Sequence, residues 1–197
     1  MKRNFFANIR KLPAKAQKTD IDLAGKTSDK GKQMQFRLNS KLLSLGSNYQ
    51  IRNDKDELAY VVRGKILSFG HDLTLETAQG VEVARIKQRL MNFMPTFELF
   101  LGEKSYATIS KKLAWFKKRF LLDIPGPNDY EIEGNFWNYE YEFRRQQGVV
   151  ATVSRKVLSI TGVYGVEIAK GEDPISILAA VVVIDLCNRS EGAAAAQ

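Results

Sequence analysis

The sequence predicts a mainly β protein, an antiparallel sheet closed around one C-terminal helix. Three observations carry this: a period-2 pattern from Tyr49 onward, a small-residue motif repeated in successive hairpins, and one run near the C-terminus that is apolar on every side. Side chains alternate across a strand, so period 2 marks a half-buried strand. The clearest case is Tyr130-Glu-Ile-Glu-Gly followed by Tyr139-Glu-Tyr-Glu-Phe143, with apolar groups on one face and carboxylates on the other. Turn residues separate the strand-like runs at Asn53-Asp-Lys-Asp56, Gln79-Gly80, Gly102-Glu103, Pro125-Gly-Pro-Asn-Asp129 and Gln147-Gly148. Each sits between two strands, so consecutive hairpins are the economical reading.

The hairpins share a motif. An alanine followed two positions later by a β-branched residue recurs at Ala59/Val61, Ala84/Ile86, Ala107/Ile109 and Ala151/Val153, with basic residues after each. The long interval between the last two leaves room for a further, diverged unit. Both motif residues face one side of the sheet. A row of alanines there leaves space, and a closed sheet with such an inner wall would admit a helix.

Ile175–Cys187 is the segment that suits this space. Asp173-Pro174 before it reads as an N-cap with proline at the first helical position. Its thirteen residues would span about 20 Å as a helix, short of the roughly 30 Å hydrocarbon core of a bilayer. We therefore expect a central helix over about 174–187 and a flexible tail over 191–197. The alternative is a two-sheet sandwich ending in a strand at Val181–Ile184, because Val-Val-Val-Ile favours a strand locally.

Taken in order, Tyr49-Gln-Ile-Arg-Asn-Asp54, Tyr60-Val-Val-Arg-Gly-Lys-Ile-Leu-Ser-Phe-Gly70, Tyr130-Glu-Ile-Glu-Gly-Asn-Phe136, Val150-Ala-Thr-Val-Ser-Arg-Lys156 and Tyr164-Gly-Val-Glu-Ile168 form a wider pattern, closed by the apolar segment and its acidic residue. Over residues 36–190 this resembles the LURP-one-related family of the tubby C-terminal-like superfamily, which also contains the phospholipid scramblases. The resemblance implies a closed antiparallel β-barrel of about twelve strands around a central hydrophobic C-terminal α-helix. It also implies a non-catalytic role, by analogy with tubby domains that bind phosphoinositides through basic surface residues.

The net charge of +8 is placed unevenly. Residues 1–45 hold eleven Lys/Arg and three Asp/Glu, and residues 46–197 hold nineteen of each. The excess belongs to a basic tail and linker over 1–35, leaving the domain neutral. Phe5, Phe6, Ile9 and Leu12 stand at helical spacing among Lys2, Arg3, Arg10 and Lys11, a short basic amphipathic segment. The first acidic residue is Asp20, so a mitochondrial presequence is another reading of this tail. The single cysteine, Cys187, excludes an intramolecular disulfide. With no run of eighteen apolar residues, we expect no transmembrane span and a cytoplasmic protein, peripheral at a membrane.

Candidate chemistry is sparse. His71 is the only histidine, so a site needing two imidazoles cannot form within one chain. There is no Walker A loop, G-x-G-x-x-G, G-x-S-x-G or EF-hand pattern. We expect no catalytic residue, no cofactor and no metal. Asp185, near the end of the apolar run, would need to reach the rim or pair with Arg189. Lys117, Lys118 and Arg119 follow Trp115-Phe116, so cations adjoin aromatics as they would at a membrane interface. With Lys2, Arg3, Arg10 and Lys11 they are the candidate contacts to an anionic partner.

The expected function is a non-catalytic binding or scaffold protein docking on an anionic phospholipid, a phosphoinositide or a protein partner. The alternative is a structural subunit of a larger assembly held by the N-terminal tail, and nucleic acid would be reached only through that tail. Phospholipid translocation is the weakest reading, since the chain lacks the cysteine cluster, the proline-rich N-terminal region and the acidic calcium loop of the scramblases.

Overall fold

A computed structural model describes residues 33–39, 49–67, 70–112, 119–155 and 163–195. The order is β1 (Met34–Asn39), β2 (Tyr49–Asn53), β3 (Leu58–Leu67), β4 (Gly70–Thr77), β5 (Glu82–Gln88), β6 (Thr96–Leu101), β7 (Lys104–Lys112), β8 (Arg119–Asp123), β9 (Tyr130–Asn135), β10 (Glu140–Arg145), β11 (Gly148–Ser154), β12 (Val163–Ile168) and α1 (Pro174–Ala195). Each strand pairs antiparallel with its neighbours in sequence, and β1 pairs with β12, closing a barrel of twelve strands. Closure removes the open edges that would recruit other strands.

The period-2 reading holds through the barrel. On β9, Tyr130 and Ile132 are buried while Glu131 is exposed; on β10, Tyr141 and Phe143 are buried between half-buried Glu140 and Glu142. Helix α1 runs through the barrel, and every residue from Ser176 to Asn188 is buried. Val181–Ile184 is thus helical, which overturns the sandwich alternative. Tertiary burial overrides the local strand preference of Val-Val-Val-Ile, because only a helix satisfies its own backbone inside an apolar tube.

The alanine repeat needs one correction. Ala84, Ala107 and Ala151 face the interior, but Ala59 does not. The reason is a recurrent β-bulge. Leu75 pairs with Ala84 but Glu76 with Glu82, leaving Val83 as the extra residue. The same shift leaves Tyr106 extra beside Ala107 and Val150 extra beside Ala151. In the first hairpin Ile51 pairs with Tyr60 and Arg52 with Leu58, so the extra residue is Ala59 itself and Tyr60 takes the inward place. The diverged unit is the β8–β9 hairpin, where Tyr130 opposite Leu122 occupies that place. A bulge adds one residue to one strand and so decides which neighbour points inward.

Two glycines allow close approach. A Cβ on Gly64 would stand 2.0 Å from Leu73 Cδ2, and one on Gly134 would stand 2.4 Å from the Glu140 carbonyl oxygen. Gly134 also has φ 144°, a conformation that L side chains rarely adopt.

The helix is longer than the sequence predicts. It continues past 187 to Ala195, so residues 191–195, expected as a tail, are its last turn. Alanine is the strongest helix former, and Glu191 is held by an ion pair to Lys111 of β7. The first strand likewise begins at Met34, two residues before the expected boundary. No described helix is long and apolar enough to cross a membrane.

Candidate functional site

Antiparallel order sorts the connections into two ends. Those that follow even-numbered strands lie at the end where α1 begins, and those that follow odd-numbered strands lie where it finishes.

The entry end is polar and fastened. Asp173 caps α1 as predicted, its carboxylate accepting from the Ile175 N–H at 3.0 Å and from the Ser176 hydroxyl at 2.5 Å. Next to it, Glu172 accepts from the Tyr130 hydroxyl at 2.6 Å and from Arg145 Nη1 at 3.3 Å. The Arg145 guanidinium also lies 5.1 Å over the Tyr130 ring. Burial, then the Glu172 hydrogen bond, raises the Tyr130 phenol well above its usual range.

Toward the other end lies the one carboxylate of the apolar run. Asp185 is fully buried and accepts from the Tyr49 hydroxyl at 2.7 Å and the Tyr139 hydroxyl at 2.5 Å. Arg189 Nε, one turn on, stands 2.9 Å from it, the pairing expected from the sequence. The Tyr141 and Tyr164 hydroxyls are buried close by without a hydrogen-bond partner. Sequence reasoning missed this ring of tyrosines, since its members come from β2, the β9–β10 connection, β10 and β12 and no local spacing marks them. Burial first, and the Asp185 charge second, raises the phenols of Tyr49, Tyr139, Tyr141 and Tyr164. A cluster of perturbed groups can mark an active site. Here Asp185 is fully buried, and its hydrogen bonds tie α1 to β2 and to the β9–β10 connection.

One consequence is measurable. Tyr60, Tyr106 and Tyr130 are also raised, each mainly by burial, so all seven tyrosines hold their protons more tightly when folded. In the unfolded chain they ionise near pH 10. The tyrosines' contribution to stability is therefore fully present below pH 10 and is lost as pH rises toward the folded values. Absorbance at 295 nm should rise in one step that coincides with loss of near-UV circular dichroism. Several tyrosines titrating near pH 10 with the fold intact would contradict the buried placement.

Of the predicted contact residues, Lys2, Arg3, Arg10, Lys11, Lys117 and Lys118 lie outside the described residues. Arg119 opens β8 with half its side chain exposed and ion-pairs Glu133 at 2.9 Å. His71 stacks on Phe97 with ring centroids 6.3 Å apart, and burial lowers its pKa. No group of His, Cys, Asp or Glu among the described residues could hold a metal ion.

The outer wall carries an open groove of about 790 Å³ over β9–β11, lined in part by Glu133, Trp137, Glu140, Glu142 and Ser154. Its carboxylates are engaged: Glu133 by Arg119, Glu142 by Arg144 at 2.6 Å, and Glu140 by the Ser154 hydroxyl at 3.0 Å.

The two ends differ in charge. Connections at the entry end include Asp54-Lys-Asp-Glu57, Glu103, Asp129 and Lys170-Gly-Glu-Asp173, which are mostly acidic. Among the described residues, the connections at the exit end hold Arg89, which pairs with Glu98, and Arg155, and no Asp or Glu. At that end Leu90, Met91, Phe93 and Trp137 are also exposed.

Comparison with known proteins agrees with this architecture. The chain is 29% identical over 149 residues to the uncharacterized protein YxjI of Bacillus subtilis strain 168, covering 76% of this chain and 90% of that protein. Its fold is similar to the X-ray structure of a protein from Arabidopsis thaliana, with a TM-score of 0.58 at 16% identity, covering 79% of this chain and 91% of that one. The model of the LURP-one-related family matches residues 34–185, from the first strand to the buried aspartate. The chain thus belongs to the LURP-one-related family.

Proposed function

We propose that this protein is a non-catalytic, cytoplasmic binding module that docks on an anionic lipid surface. The observation that supports this reading is the charge asymmetry of the described connections: acidic where α1 enters, and without a carboxylate where it leaves. The side chains of α1 fill the interior, so binding falls to the outside. A neutral domain with one cationic end approaches an anionic bilayer in a single orientation.

The basic tail adds attraction. Each Lys or Arg near an anionic surface contributes about 1 kcal/mol. Replacing Lys2, Arg3, Arg10 and Lys11 together with Gln should weaken binding by up to about 4 kcal/mol. The test is flotation of the full chain with phosphatidylcholine vesicles, with and without phosphatidylserine, at rising salt. Binding should require the anionic lipid and fade with salt as charges are screened. Equal binding to neutral vesicles, or none to either, would reject the proposal.

A further inference from the structure

The exit end carries exposed apolar groups. In the β5–β6 connection, Leu90, Met91 and Phe93 are 52%, 104% and 90% exposed, and Trp137 in the β9–β10 connection is 48% exposed. Single exposed apolar residues are ordinary. Three within four positions, at the tip of one hairpin, are not.

The hairpin is built to hold them out. At its base the Arg89 N–H donates to the Thr96 carbonyl at 2.8 Å, and the Lys111 N–H of the next strand donates to the Pro95 carbonyl at 3.1 Å. The Thr96 hydroxyl donates to the Met94 carbonyl at 3.0 Å. Met91 has φ 68°, the left-handed region that non-glycine residues seldom enter. A backbone held this way, with a fully exposed methionine at its apex, gains nothing from water.

We propose that Leu90, Met91 and Phe93, assisted by Trp137, insert into the headgroup and upper acyl region of an anionic bilayer, with the exit end of the barrel facing the membrane. This rests on the lipid-docking function proposed above and adds an orientation and an insertion step. Charge complementarity selects the occupant. Two copies meeting through this end would bring together connections whose described residues include Arg89 and Arg155 and no carboxylate, whereas an anionic bilayer complements them. Copies stacked exit end to entry end would be complementary, but such a contact does not close and would build chains. Trp137 suits the interface, where an aromatic ring sits at headgroup depth. It lies beside the end of α1, 3.8 Å from the position a Cβ on Gly192 would take, on a hairpin separated from β5–β6 by β7 and β8. The apolar groups therefore lie at the same end of the barrel on two hairpins.

The sole cysteine makes the test clean, because Cys187 is buried. Met91→Cys and, as a control at the entry end, Lys55→Cys are each labelled with an environment-sensitive fluorophore on the full chain. On adding phosphatidylserine-containing vesicles, the probe at 91 should shift to the blue and become shielded from aqueous quenchers, and the probe at 55 should not. In unlabelled protein, Met91→Ser with Phe93→Ser should weaken partitioning at least about tenfold with an unchanged melt. Vesicle binding with no shift at 91, or with equal shifts at both sites, overturns the insertion while leaving lipid docking intact. Absence of vesicle binding overturns both. Concentration-dependent chains in light scattering that disappear in the double serine variant would assign the tip to a second copy and overturn the proposal.

Discussion

Val182→Asp should abolish the folded barrel. Val182 is fully buried at the middle of α1, within a helix buried from Ser176 to Asn188. No described ion pair places a cation beside it. An ionised carboxylate there would pay a desolvation cost far above the total stability of a typical domain, about 5–15 kcal/mol. Even the protonated acid would bury hydrogen-bonding groups without partners, at about 1–3 kcal/mol, and would forfeit valine packing as well. The expected result is loss of near-UV circular dichroism and of any cooperative thermal transition. Val182→Ala, which only removes methyl groups, should fold and lose about 2 kcal/mol. A well-folded Val182→Asp protein that merely releases vesicles would show that α1 acts as an anchor rather than a plug.

What the sequence made legible was local. Alternation at Tyr130–Gly134 and Tyr139–Phe143, the turns between strands and the Asp173-Pro174 cap all depend on neighbours a few residues apart, and each appears where predicted. What stayed hidden depends on pairing across the barrel. A bulge is defined by two strands, so Ala59 looked like the other repeat alanines until Tyr60 was found opposite Ile51. The partners of Asp185 lie 136 and 46 residues away in sequence, so its tyrosine ring left no local trace.

The charge asymmetry was concealed differently. Summed along residues 46–197 the charges cancel, and only the parity of the strands sorts the described connections into an acidic end and one without a carboxylate. Leu90-Met-Asn-Phe93 resembles core sequence, and it is the hairpin geometry around Met91 that turns it outward. The proposed docking surface was thus present in the residue list but not in its order.

Asp185→Ala should cost about 1–3 kcal/mol, the range for leaving buried hydrogen-bonding groups unsatisfied, because solvent screens the Arg189 charge. The carboxylate takes hydrogen bonds from Tyr49 and Tyr139 and faces the half-exposed Arg189, so its loss leaves two phenols and a guanidinium without their acceptor. Asp185→Asn keeps the shape and one acceptor oxygen but removes the charge, and should fall between wild type and Ala. If the cost comes from the stranded cation, Arg189→Met should recover part of it in the Asp185→Ala background while being destabilising alone. A double-mutant cycle by urea unfolding reads this directly, with a coupling of about 1–3 kcal/mol expected for groups in contact. Strictly additive losses would mean that Arg189 is satisfied by solvent and that Asp185 serves the tyrosines alone. The size of the coupling therefore decides whether the exit end of the plug is held by its ion pair or by its phenols.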